Sequence, residues 1–275
     1  MIMFSILVVC LNAGDKLKMT VESILNQSCG DYEIIVKDGM SSDGCLEGLP
    51  PDGRLRVFRK EDRGIYDGMN QAVEQAKGEY VYFLNCGDVF YDKDVLQRVR
   101  EQIEANRKRK EEGTEKGENS GRYLFYGDIR ERLTGERVAS NPSMDAFGCY
   151  RNVPCHQACF YGKCLMKEKK FNIRYKVRAD YEHFLWCFFQ GGAETVYMPL
   201  VIADYEGGGF SETKENRRRS AAEHKEITAK YMPSGQIFKY RALMFLTLSW
   251  LRTRLAGNKI TAHGYQWVKR KLYGR

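Results

Sequence analysis

Three short tracts of this 275-residue chain set acids and amides beside glycines. They read Lys37-Asp38-Gly39-Met40-Ser41-Ser42-Asp43-Gly44, Asp62-Arg63-Gly64-Ile65-Tyr66-Asp67-Gly68-Met69-Asn70 and Asn85-Cys86-Gly87-Asp88. Carboxylates there can accept hydrogen bonds without donating any, and can offer hard oxygen ligands to a divalent cation. Taken singly, each tract is also ordinary turn chemistry, because Asp and Gly commonly follow strands. The chain has no G-x-G-x-x-G and no Walker lysine, so dinucleotide and P-loop readings lack support.

The elements around these tracts alternate. Phe4 to Cys10 is a continuous apolar run, as in a parallel strand buried on both faces. Leu17, Val21, Ile24 and Leu25 then share a helical stripe. Strands follow at Tyr32 to Val36 and Leu55 to Phe58, and a helical face at Ile65, Met69, Ala72, Val73 and Ala76 is closed by Gly78. Tyr80 to Leu84 is a further strand, and Tyr123 to Tyr126 another. Glu101 to Asn119 begins as the end of a helix and becomes a solvated loop; Asp180 to Phe189 predicts a late helix. The β-α-β-β-α-β order predicts an α/β fold with a mostly parallel sheet flanked by helices. In such a sheet, ligands bind beyond the carboxyl ends of the strands, where all three tracts stand.

In this order and spacing, the opening F-S-I-L-V-V-C-L-N, K-D-G-M-S-S-D-G, D-R-G-I-Y-D-G-M-N and Y-F-L-N-C-G-D resemble the inverting family 2 glycosyltransferases of GT-A fold. The resemblance runs over roughly residues 3 to 210, and is to the branch found in bacterial polysaccharide and lipopolysaccharide biosynthesis. It implies a Rossmann-like GT-A domain over 1–213, with a nucleotide-sugar half (1–100) and an acceptor half (120–213). It also implies transfer of a sugar, with inversion, from a nucleotide donor to a glycan or lipid-linked hydroxyl. Asp38 then matches the acid that accepts a hydrogen bond from the base, usually uracil, and a carboxylate suits an imide N–H. Asn12, Asp62, Arg63 and Asn85 line the same nucleotide cleft. Asp88 matches the last acid of the D-x-D motif, which holds Mg2+ or Mn2+ on the diphosphate. The first acid of that motif is replaced by Asn85, which puts strict metal dependence in question.

Arg178-Ala179-Asp180-Tyr181-Glu182 resembles the family's E-D-Y-D segment, with Ala179 in place of its Glu. The match makes Asp180 the general base that takes the acceptor proton, with Glu182 in reserve. Asp180 can equally serve as the cap of the helix it begins. Cys155-His156-Gln157 resembles an H-Q segment that borders acceptor and diphosphate, and the glycine tract at Gly208 resembles a closing loop. A nucleotidyltransferase and a non-catalytic nucleotide-sugar-binding module are the other classes to weigh.

Charge divides the chain. Residues 214–275 hold 15 Lys/Arg against 3 Asp/Glu, so that segment carries +12 of the net +8 and the rest carries −4. This basic C-terminal extension, with the apolar run Ala242 to Leu251 and Trp250, predicts a helical segment lying on an anionic membrane surface. No nucleic-acid-reading motif accompanies the charge. The apolar N-terminus lacks a basic flank and a small-residue cleavage site, and reads as a strand rather than a signal peptide. The nine Cys lack paired spacing, which fits free thiols in a reducing cytoplasm and disfavours a structural zinc site. The expected location is therefore cytoplasmic, peripheral on the inner face of the cell membrane.

Overall fold

The computed structural model describes residues 2–112, 121–207 and 213–246. The first strand, β1 (Phe4–Cys10), is flanked by β2 (Tyr32–Asp38) and β4 (Tyr80–Phe83), and β3 (Leu55–Arg59) lies outside β2. All of these pairings are parallel. β1, β2 and β4 are almost wholly buried, which is why their sequences read as unbroken apolar runs. Helices α1 (Asp15–Leu25) and α2 (Ile65–Gln75) connect them, and α3 (Val95–Glu112) follows the short β5 (Val89–Phe90). The inward stripe of α3 is Val95, Leu96, Val99 and Ile103, so the charge-rich stretch stays helical to Glu112 on one buried apolar edge.

The far half of the sheet is mixed. β6 (Tyr123–Glu131) and β8 (Cys159–Gly162) pair antiparallel, β8 also runs antiparallel to β4, and β9 (Glu194–Tyr205) runs parallel to β6. The two-residue β7 (Arg137–Val138) hangs on β6. The full order is β3-β2-β1-β4-β8-β6-β9-β5. The expected α/β sheet flanked by helices is present, parallel through its first half, with β8 supplying the reversal.

β8 and β9 escape the sequence reading for local reasons. β8 has only four residues. β9 contains Pro199, and its register with β6 shifts between Tyr126 and Asp128, so Pro199 falls where no ladder bond is needed. Gly127 makes that irregularity possible: a Cβ there would lie 2.6 Å from the Leu200 carbonyl oxygen.

The acceptor half adds α4 (Ala146–Arg151), a 3-10 turn at His156–Ala158, α5 (Lys163–Glu168) and α6 (Ala179–Phe189). α7 (Lys214–Tyr231) and α8 (Ser234–Leu246) complete the described chain. It divides into two compact units, Met1–Ile227 and Thr228–Arg275, with the division inside α7 rather than at the charge boundary of 213/214. Among the described residues, no helix is long and apolar enough to cross a membrane.

Candidate active site

Strand order reverses at β1, whose successor β2 lies on one side while β4 lies on the other. Such a switch point opens a crevice beyond the carboxyl ends of the strands. Asn85-Cys86-Gly87-Asp88 turns there directly after β4, and the turn is closed by the Asp88 amide donating to the Asn85 carbonyl at 3.0 Å. Gly87 sits at φ 98°, a conformation that side chains strain to adopt. Thr20 of α1 pins the turn: its hydroxyl donates to the Asp88 carbonyl at 2.8 Å and accepts from the Gly87 amide at 3.0 Å.

Asp88 is buried, and both its oxygens are held. Gln157 Nε2 donates to one at 2.5 Å and the Glu206 amide to the other at 2.8 Å. Burial pushes the Asp88 carboxyl above its usual range, although these two hydrogen bonds oppose the shift. The neighbouring side chain on the 3-10 turn, His156, faces a second acid: its Nδ1 lies 3.2 Å from Asp180 Oδ2. Its Nε2 lies 3.1 Å from Asn85 Nδ2. One turn of chain therefore holds both acids of the site.

Asp180 lies in the first turn of α6, where the helix dipole favours a carboxylate. It is not the cap, because Arg178 occupies that position. The Tyr66 hydroxyl lies 2.9 Å from Asp180 Oδ1 and 2.8 Å from the Val177 carbonyl oxygen, so its single proton is shared between these two acceptors. Burial pushes the Asp180 carboxyl up, but His156, the Tyr181 amide and Tyr66 outweigh it and hold the group below its usual range. The segment entering α6 is clamped by Glu223 of α7, whose carboxylate accepts from the amides of Lys176, Val177 and Arg178 at 2.8, 3.0 and 2.9 Å. These amides would otherwise lack partners near the helix start.

Asp88, Asp180, Asn85, His156 and Gln157 share one cavity of about 470 Å3, which Lys16 and Glu206 also line. Lys16 Nζ pairs with Glu206 at 2.7 Å. A second cavity of about 410 Å3 holds Asp62, Arg63 and Asp67, and the two share Leu11, Ile65 and Tyr66 among their walls. Asp62 pairs with Lys37, a wholly buried cation in β2, and accepts from the Gly64 amide at 3.0 Å. Arg63 is exposed and lies 3.5 Å from Asp67.

Asn12 and Asp38 build the loops beside these cavities rather than lining them. Asn12 has φ 50° and accepts from the Ser42 amide at 2.9 Å. Asp38 is sealed from solvent and accepts from the Ser41 amide and hydroxyl and from Arg59 Nε. Those bonds overcome the upward push of burial and hold its carboxyl below the usual range. Glu182 is turned away from the cavity: it is wholly buried and bonded to Lys169 Nζ at 2.6 Å. That placement removes it as a reserve base, since no acceptor hydroxyl can reach it. Gly208 lies outside the described residues. Sequence reasoning gave no site role to Leu11, Lys16, Tyr66, Glu206 or Glu223; Leu11, Tyr66 and Glu206 stand inside tracts singled out for their resemblance, and Lys16 and Glu223 do not.

Hard oxygen donors at the cavity, Asp88 and the half-exposed Glu206, fit a Mg2+ or Mn2+ ion. Cys10, Asp38 and Cys45 also bring ligand atoms within 4.8 Å of one another. Their chemistry does not fit such an ion. The Cys10 thiol is pushed up by its hydrogen bond with Cys86 and by burial, and Cys45 chiefly by burial. Thiols favour softer metals.

Comparison with known proteins agrees with this architecture. Residues 5–164 match the family model for Glycosyl transferase family 2. A PGL/p-HBAD biosynthesis glycosyltransferase of Mycobacterium tuberculosis is 37% identical over 218 residues, 77% of this chain and 80% of that protein. Among solved structures, S. aureus TarS 1-349 in complex with UDP-GlcNAc superposes with a TM-score of 0.59 at 16% identity, covering 83% of this chain and 71% of that one. The mannosyltransferase PcManGT from Pyrobaculum calidifontis, in complex with GDP-Man and Mn2+, gives 0.57 at 14% identity over 99% and 87%. The chain belongs to glycosyltransferase family 2, its fold resembles the GT-A glycosyltransferases, and it is a glycosyltransferase enzyme.

Proposed function

We propose that the chain moves a sugar from a nucleoside diphosphate donor to a hydroxyl of a glycan or lipid-linked acceptor, with inversion, in cell-surface polysaccharide biosynthesis. One observation carries the reading: Asp88 and Asp180 face the same cavity, each braced by one of two consecutive side chains, Gln157 and His156. Inversion needs a base on one side of the sugar and a departing diphosphate on the other. Asp180 takes the acceptor proton. Asp88, with Glu206, would hold Mg2+ or Mn2+, which when bound neutralises charge on the leaving diphosphate. The nucleotide lies over the loops after β1, β2 and β3, bordered by Asn12, Asp62 and Arg63. Asp38 can accept the uracil imide N–H by exchanging one present bond; Arg59, about half exposed, is the partner that can leave. The nucleotidyltransferase and non-catalytic readings are not favoured by the family match.

Thermal stabilisation tests the donor site. UDP with Mn2+ at about 100 times its Kd adds ~2.7 kcal/mol, or a rise of roughly 5–10 °C for a domain of this size. GDP, CMP and dTDP are expected to give smaller shifts. The absence of a shift with every nucleotide would refute the proposed donor site.

The basic extension is proposed to dock on anionic lipid at the inner face of the membrane. Phe238, Phe245 and Leu246 of α8 are all more than 70% exposed, and Lys239 and Arg241 beside them are exposed too. Apolar side chains among cations suit an anionic bilayer interface. The rest of the apolar run, including Trp250, lies outside the described residues. Removal of residues 234–275 is expected to reduce sedimentation with phosphatidylglycerol vesicles, with little effect on neutral ones. Equal binding of the intact chain to neutral and anionic vesicles would sink the idea.

A further inference from the structure

We propose that Asn85 and His156 are positioning residues for the base Asp180: the Asn85 amide fixes the His156 tautomer, and the His156 Nδ1–H then holds Asp180. The inference rests on the reading of Asp180 as the base. It gives the amide that stands in place of the motif's first acid a role toward the base rather than toward the cation.

The argument is one of donors and acceptors. Asp180 is ionised and can only accept, so the His156 nitrogen facing it at 3.2 Å must carry a proton. In a neutral imidazole the other nitrogen, Nε2, is then an acceptor. It faces Asn85 at 3.1 Å, and an amide can present its N–H there. An amide oxygen turned toward Nε2–H would leave either the Nδ1 lone pair against the Asp180 carboxylate or a doubly protonated ring, and ring spectra separate that second state from the neutral tautomer. The other Asp180 oxygen faces the Tyr66 hydroxyl at 2.9 Å, whose single proton it shares with the Val177 carbonyl. The carboxylate is thus gripped on both oxygens, while its side chain stays about one quarter exposed to the cavity. Aspartate at position 85 could not play this part, because it accepts only. It would require a proton on Nε2 as well, and the ring would become an imidazolium between two carboxylates. A full positive charge beside Asp180 makes it a weaker base.

The test is made on the ligand-free full chain, so it does not depend on identifying donor or acceptor. Two-bond proton–nitrogen correlation spectra of protein labelled with 15N-histidine report the tautomer of each ring, and loss of one set in His156→Gln assigns His156 among the four histidines. The expected spectrum shows Nδ1 protonated and Nε2 bare; in Asn85→Asp both become protonated. A protonated Nε2 in the unsubstituted protein, or an unchanged ring in Asn85→Asp, overturns the tautomer assignment even if transfer is confirmed. In turnover, Asn85→Asp should lower kcat about tenfold or more with donor KM within about threefold, since the loss falls on proton transfer and not on binding. An unchanged kcat would overturn the link to the base. Absence of transfer by the unsubstituted protein would instead count against the proposed function, and leave the spectral result standing.

Discussion

Replacement of Asp180 by Asn should lower kcat by about 10³-fold while leaving donor binding within about twofold, because a positioned base typically contributes ~10²–10⁴. Asparagine matches the carboxylate in shape. It can still accept the Tyr66 hydroxyl bond on one side, while its amide N–H on the other requires the His156 ring to move its proton from Nδ1 to Nε2 and the Asn85 amide to turn its oxygen toward it. The first turn of α6 should persist, since Glu223 clamps the backbone ahead of it independently of Asp180. What disappears is the capacity to take a proton. The hydrogen bonds that hold the Asp180 carboxyl below its usual range also keep it ionised at neutral pH. Its stabilising contribution is present above the ordinary carboxylate pKa and is lost only as pH falls through the lower folded value. The acid limb of kcat/KM for the unsubstituted enzyme should accordingly lie below the pH at which an ordinary Asp titrates, about 4. Steady-state kinetics and nucleotide titration of Asp180→Asn separate the roles: lost donor binding would make Asp180 a donor-site residue, and retained kcat would remove it as base.

Much of this site is legible in the chain because its parts sit at strand ends that apolar runs mark out. Phe4 to Cys10 has the predicted bounds, and the turn at Asn85–Asp88 follows directly from the end of β4. Local pattern also finds α2 and α6, the latter one residue early at Ala179. The contacts that give the site its chemistry are different in kind. Tyr66 and Asp180 are 114 residues apart, and Asn85 and His156 are 71 apart. Asn85 and His156 meet because β8 runs antiparallel beside β4 and carries the 156–158 turn to the end of β4; β8 itself is too short to announce itself. Glu223 reads as one acid in a basic helix until the fold places three backbone amides against it. Asp38 shows the converse: motif position alone leaves unseen that its lone pairs already serve Ser41 and Arg59. Pattern thus locates the loops, while the pairing of distant strands decides which side chains within them can act together.

Asp88→Asn should abolish the Mn2+-dependent part of nucleotide stabilisation and reduce turnover by roughly 10²-fold or more, the scale expected when a group that neutralises the departing charge is removed. The same change should leave the ligand-free melting temperature no lower than that of the unsubstituted protein. Burial raises the Asp88 carboxyl, so the folded state disfavours its charge; stability is lost as pH rises through that raised value, and a neutral amide relieves the cost. Against this stands the hydrogen-bond geometry: both oxygens of Asp88 accept, from Gln157 and from the Glu206 amide, and asparagine can accept on only one side. The amide of Gln157 cannot simply turn over, because its oxygen already accepts from the Cys155 thiol at 2.6 Å. These opposing effects should nearly cancel in the free protein, whereas nothing replaces the lost charge once a diphosphate is bound. Calorimetric melts of both proteins, with and without Mn2+ and UDP, read the two quantities together. A persistent Mn2+-dependent shift in Asp88→Asn would transfer the cation to other oxygens, with Glu206 the first to examine, since it lines the same cavity and its amide already touches Asp88. A large fall in the ligand-free melt would instead mean that the two hydrogen bonds outweigh the burial of charge, and that Asp88 is held in place chiefly by its contribution to the fold.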